Sequence, residues 1–259
     1  MRAITRGLIR SLLSAALLTG VCQSANAGMV TLDFVKITNN GPDDVSNQLS
    51  VIVASGTETT LLSNYGGTTG DGATSVNQVN FIFLNAVGAA SSITDVYFDD
   101  GTLFGISKIL SPTGVSYAAG ANPSDLPGGN DIDFTTTAGF SADSESPTLE
   151  NGVNAGTEWL RIKFDLISGQ TYDDVVAALG LAPVNATTGL PDTDVVGALR
   201  IGMHVQGHAT DGDSEGYVNL PPDDFPPFEV PEPSSLALLS LGAVSALGYR
   251  RRQKAKLAA

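Results

Sequence analysis

Cysteine is almost absent from this 259-residue chain, and the single Cys22 sits in a hydrophobic leader near its start. A body without cysteine has no disulfide, no thiolate metal site and no Cys–His nucleophile. Burial and hydrogen bonding must hold it together. Basic residues are also scarce, 13 against 27 acidic, and most lie at the two ends: Arg2, Arg6, Arg10, Arg250, Arg251, Arg252, Lys254 and Lys256. From Gly28 to Glu232 only Lys36, Lys108, Arg161, Lys163 and Arg200 face all 27 carboxylates, a net charge of −22. Such a body repels phosphate backbones and anionic membranes, which argues against a nucleic-acid partner. The chain has one tryptophan, Trp159, and two histidines, His204 and His208. It has no G-x-S-x-G elbow, no H-E-x-x-H helix and no Walker-type loop, so no catalytic motif supports an enzyme.

What is present is concentrated first at the ends. Residues 1–27 have the three parts of a secretory signal. Arg2, Arg6 and Arg10 form a basic start, Leu12 to Val21 an apolar run, and Ala25-Asn26-Ala27 a small-x-small site that predicts a mature start at Gly28. The apolar run is too short for a retained anchor, and the bulky Val21 speaks against lipidation of Cys22. At the other end, Pro231-Glu232-Pro233 precedes SSLALLSLGAVSALGY (234–249) and then Arg250-Arg251-Arg252. The apolar stretch falls short of the ~20 residues usual for a spanning helix. Flanking arginines can snorkel, however, and would stay cytoplasmic, leaving the body outside and 253–259 as a basic cytoplasmic tail. The stretch lacks the charged face of an amphipathic helix packing on the body.

This order of Pro-Glu-Pro, short apolar helix and basic stop resembles the PEP-CTERM sorting segment of bacterial exported proteins, over about 230–252. The resemblance implies passage through the export machinery and cleavage near Pro231-Glu232-Pro233 by an exosortase, a membrane-embedded transpeptidase-like enzyme. It also implies transient membrane anchoring, a Gram-negative-type envelope, and association at the cell surface with extracellular polysaccharide. The body resembles PEP-CTERM proteins that carry no assigned activity, on SITDVYFDDGTL (92–103), FSADSESP (140–147) and LRIGMHVQG (199–207).

Residues 28–229 read as one all-β domain. Period-two alternation at Leu49–Val53, Leu160–Leu166 and Leu199–Val205 predicts antiparallel strands with one polar face. The stretches 79–87 and 93–98 are also β-rich. Val30, Leu32 and Phe34 share a phase that slips to Val35 and Ile37, which suggests a bulge. One helix is expected at 172–179, with Thr171 as N-cap, Asp174 as its acidic partner and Gly180 closing the end. The expectation is mainly β: an antiparallel two-sheet β-sandwich with one short helix, flanked by an N-terminal signal helix and a C-terminal hydrophobic helix.

Three chemical readings can be placed on residues. His204 and His208 fall on the outward side of their strand, where the expectation is a solvated face, since a catalytic metal usually needs three protein ligands. Asp99-Asp100-Gly101, Asp131-x-Asp133 and Asp211-Gly212-Asp213-Ser214-Glu215 are compact oxygen-donor clusters at turns. Asp211, Asp213 and Glu215 are the leading candidates for a structural calcium, although Asp and Gly also simply make turns. Carboxylates abound, but glycosidase chemistry needs a pair at a defined spatial separation, which sequence spacing does not reveal. The leading reading is an exported, non-catalytic surface or matrix protein. An extracellular hydrolase using carboxylates, or a carbohydrate-binding module around Trp159, is the alternative.

Overall fold

In the computed structural model, residues 28–86, 88–99, 101–181 and 196–222 are described. They form the strands β1 (Met29–Leu32), β2 (Phe34–Lys36), β3 (Leu49–Ser55), β4 (Gln78–Asn85), β5 (Ser92–Asp99), β6 (Leu103–Leu110), β7 (Tyr117–Ala119), β8 (Ser141–Ser144), β9 (Leu160–Leu166), β10 (Arg200–Gln206) and β11 (Glu215–Asn219). Two antiparallel sheets result, ordered β1-β3-β4-β9-β6 and β2-β11-β10-β5-β8-β7. Both predicted termini lie outside the described residues. Among the described residues no helix is long and apolar enough to cross a membrane.

Alternation explains the core. Val51 and Val53, Phe81 and Phe83, and Leu160, Ile162 and Phe164 point from the first sheet into one apolar cluster, where Ile93, Val96, Phe98, Ile201 and Met203 meet them from the second. Phe98 bridges the sheets edge-to-face, 4.7 Å from Phe164 and 5.1 Å from Phe81, ring centre to ring centre. Such pairs add about 0.5–1.5 kcal/mol each beyond the area they bury.

The predicted phase slip at Val30–Ile37 is not a bulge. β1 pairs with β3 in the first sheet and β2 with β11 in the second. The chain crosses between sheets at Asp33, whose carbonyl accepts the Leu220 amide at 2.8 Å. Leu32 and Phe34 both enter the shared core, while Val35 and Ile37 pack against the cluster of Leu126, Ile132 and Phe134 on the other side of the second sheet, so the slip marks apolar contacts on both faces.

The single predicted helix, α3 (Tyr172–Leu179), forms with the predicted reciprocal cap between Thr171 and Asp174 and with Gly180 at its end. Two single-turn helices join it, α1 (Thr59–Leu62) and α2 (Thr148–Asn151). Four strands escaped the pattern: β6, β7, β8 and β11.

The larger departure concerns the polar faces of the strands. Both outer sheet surfaces are covered by the chain itself. Residues 56–75 pack on the first sheet around Leu62, Ala54 and Ile82, and residues 121–134 lay Leu126, Ile132 and Phe134 on Tyr97 and Val218 of the second. Two glycines permit that second approach. A Cβ on Gly202 would stand 2.6 Å from Leu126 Cδ2, and one on Gly216 would stand 2.1 Å from the Pro127 carbonyl oxygen. The polar residues of these strands are therefore buried and tied to the covering loops. Arg161 Nη1 donates to the Tyr65 and Gly67 carbonyls at 2.8 Å and Nη2 to Gly72, while Nε donates to Asn80 Oδ1. Lys163 Nζ donates to the Asp71 and Ala73 carbonyls.

Candidate functional site

The second sheet gathers three titratable side chains in one row on its outer side. Asp143 of β8 is opposite Asp95 of β5, and Asp95 is opposite His204 of β10. A register shift between His204 and Val205 leaves Thr94 as an extra residue in β5. This bulge lets Ile93 and Val96 both face the core while turning Asp95 outward. The Thr94 hydroxyl secures the turn by donating to Asp95 Oδ2 at 3.0 Å and contacting the His204 carbonyl at 3.3 Å.

Asp95 Oδ2 is 2.9 Å from His204 Nδ1. Both side chains are buried, Asp95 at 1% exposure and His204 at 7%. The predicted solvated position of His204 is thus corrected: its outward side lies within the row, not in water. A carboxylate partner requires Nδ1 to donate, which leaves Nδ1 no lone pair for the Gln206 amide 3.2 Å away. Beyond Gln206 opens a cleft of about 280 Å³, also lined by Ser91, Ser92, Leu149, Asn154 and Gly207.

The charges in this row are unbalanced. Burial, then the negative charge of Asp95 and a side-chain hydrogen bond with it, push the Asp143 carboxyl up to about 6, with His204 opposing. Burial followed by the same two carboxylates also raises the Tyr97 and Tyr117 phenols. Asp95 Oδ1 is sealed from solvent with no protein N–H or O–H directed at it. The arrangement can hold a proton between carboxyls and orient an imidazole. Among the described residues the His204 ring has Asp95 and Gln206 as its polar partners.

The predicted oxygen cluster lies at the end of the same sheet and separates in two. Asp211 and Asp213 come together: both carboxylates close over Gly41, where a Cβ would be 3.0 and 2.9 Å from their Oδ2 atoms. Partial burial and the charge of Asp211 raise Asp213 above the usual carboxylate range. Glu215 is set apart by being fully buried at the start of β11. Its oxygens accept the Asn40 amide at 2.9 Å, the Gly41 amide at 2.8 Å and the Thr38 hydroxyl, with Lys36 Nζ at 3.4 Å. Burial alone would raise its pKa, but these donors outweigh it and hold the carboxyl below the ordinary glutamate range. Among the described residues no three His, Cys, Asp or Glu side chains converge as a metal site.

His208 is the second corrected histidine. It is 2% exposed and tilted against Tyr217, with neither ring nitrogen bonded. Asp99 accepts Arg200 at 2.5 Å and the Thr135 amide. Asp131 and Asp133 frame a 3₁₀ turn, and Asp133 takes a left-handed φ of 49°. Trp159 stacks edge-on against Tyr65 at 5.8 Å on the outer side of the first sheet. Ala25, Ala27, Asp100, Pro231, Glu232, Pro233, Arg250, Arg251 and Arg252 lie outside the described residues.

Asp95 and Asp143 were not singled out by the sequence. The one signal available is that the segments 92–103, 140–147 and 199–207, quoted above for the resemblance of the body, contain Asp95, Asp143 and His204 and form the neighbouring strands β5, β8 and β10. No curated protein and no solved structure matches the chain. Residues 229–252 match the PEP-CTERM protein-sorting motif, the mark of an exosortase substrate.

Proposed function

We propose that this chain is an exported, non-catalytic surface or matrix protein, whose β-sandwich body serves a structural or interaction role after its sorting tail is processed. The observation that carries this reading is the PEP-CTERM sorting motif at 229–252, placed directly after the acidic body. The motif supports membrane anchoring before processing, then a place at the cell surface or in the extracellular polysaccharide. The inward use of the basic side chains supports the non-catalytic part. Arg161, Lys163 and Arg200 bind the covering loops and Lys36 binds Glu215, so the cations that would neutralise an anionic substrate are spent on the fold.

The test is expression of the full chain in an exosortase-bearing host and in the same host without the exosortase. The released body from the first host is expected to end near Pro231-Glu232-Pro233 by intact mass. Replacing those three residues by alanine should retain the tail. A full-length product in exosortase-bearing cells would defeat the sorting reading. Glycan turnover abolished by a single Asp or Glu substitution would replace the structural role with a hydrolase.

A further inference from the structure

We propose that Asp143 and Asp95 share a proton that latches β8, and with it β7, onto β5. This goes beyond the sorting function and does not rest on it. Asp95 and Asp143 are opposite one another in a ladder of three registered pairs, followed by Val96 with Ala142 and Tyr97 with Ser141. β8 is the one ladder neighbour of β7, and the Tyr117 hydroxyl of β7 also donates to the Ile93 carbonyl of β5. Asp95 Oδ2 is already engaged by Thr94 and His204. Oδ1 is buried and unpartnered, and Asp143 is the residue registered opposite on β8. A buried acceptor of this kind costs about 1–3 kcal/mol unless something donates to it. A protonated Asp143 is the donor at hand.

A proton suits the position better than a metal ion. Calcium needs six to eight oxygens and its own space, whereas Oδ1 is sealed from solvent. Among the described residues no fixed cation competes. Lys36 is held at Glu215, Lys108 at Asp71, Arg200 at Asp99, and Arg161 and Lys163 under residues 65–73. The titratable groups near the row are His204 from β10, Tyr97 from β5, Asp125 at the covering segment and Tyr117 of β7, whose ring packs toward the core instead. Of these, His204 alone can carry positive charge.

The pH dependence has a definite sign. The Asp143 carboxyl titrates near 6 in the folded chain and near 3.8 as a free side chain. A carboxyl raised by folding stabilises through its protonated form, so the contribution is complete below the free value and lost as pH rises through the folded one. Below about 6 the proton links the strands. Above it, two carboxylates repel across a three-pair ladder, and the β7–β8 edge loosens while the rest of the sheet holds.

Hydrogen exchange of the full chain at pH 5 and pH 7.5, corrected for the intrinsic rate, reads this directly. Exchange in 141–144 is expected to be at least about tenfold faster at pH 7.5, since each unit of raised pKa corresponds to a factor of ten. β3 and β4 should show no such difference. Asp143→Asn keeps an N–H donor toward Asp95 at every pH and should abolish the difference. Should that variant fail to fold, carbon-13 titration of the wild-type Asp143 carboxyl decides. A midpoint near 6 supports the latch, and one near 4 overturns it. Equal β8 protection at both pH values, or an Asp143→Asn chain that keeps the wild-type difference, also overturns it.

Discussion

Glu215 and Asp143 belong to the same sheet and are displaced in opposite directions: burial pushes both up, and only Glu215 has donors enough to reverse it. Glu215 collects two amides, a hydroxyl and an ammonium and is held ionised. Asp143 is pushed up to about 6 by burial and by the negative charge of Asp95. Replacing Glu215 by Gln would turn an NH₂ toward donors that need an acceptor, and it also removes the partner of Lys36. A loss of about 2–3 kcal/mol in urea unfolding at pH 7 is expected. A folded pKa below the free value means that the stabilisation exists above about 4.5 and fades as pH falls through the folded pKa. The deficit of the variant should therefore narrow in acid, and a deficit constant with pH would show that the charge is not what matters. None of this was legible in Asp211-Gly212-Asp213-Ser214-Glu215. Spacing placed all three carboxylates at one turn, but Glu215 is buried and its oxygens are taken by donors from residues 36–41, which are distant in sequence. The histidines were misplaced for a related reason. Alternation says which side of a strand a residue occupies, whereas burial of the outer side depends on loops distant in sequence.

At the scale of elements, what local chemistry decides was readable and what distant packing decides was not. α3 has its cap, apolar face and terminator within ten residues, and β9 alternates without interruption, so both matched the expected spans. β6 hid because two register shifts break its period and Phe104 points outward at 71% exposure. β11 hid because Glu215, Gly216 and Asn219 read as a polar turn, although all three are buried. Arg161 shows how an element outside the ladders is fixed. Its guanidinium spends four N–H···O contacts on the loop over the first sheet and on Asn80, and burial lowers its pKa to about 10. A planar fork satisfies several carbonyls at once, which a lysine ammonium does not reproduce. Arg161→Ala should strand the Tyr65, Gly67 and Gly72 carbonyls and cost about 3–5 kcal/mol. Arg161→Lys should cost less overall yet still release 63–73 in hydrogen exchange. Unchanged protection of that loop in the lysine variant would mean that charge, and not the fork, fastens it.

For the whole molecule, the direction of the basic side chains matters more than their number. Lys36 is 14% exposed, Arg200 3%, and Arg161 and Lys163 are buried, so Lys108 is the one basic side chain of the body standing well in water, 3.3 Å from Asp71. The outer surface is close to purely anionic, and its self-repulsion is offset only by counterions. Stability should therefore depend on ionic strength more steeply than in a body with mixed surface charge, with most of the gain complete once the Debye length falls to about 10 Å near 0.1 M salt. A calcium bound in the 208–215 loop would add a second, saturable component at low concentration. Glu215 is occupied by protein donors, and Asp211 with Asp213 supply two carboxylates where calcium takes six to eight oxygens. Melting curves in sodium and calcium chloride at matched ionic strength should accordingly coincide within about a degree. A midpoint that climbs in calcium alone, and is lost in an Asp211→Asn, Asp213→Asn chain, would assign that loop a bound ion and make the anionic surface a secondary matter.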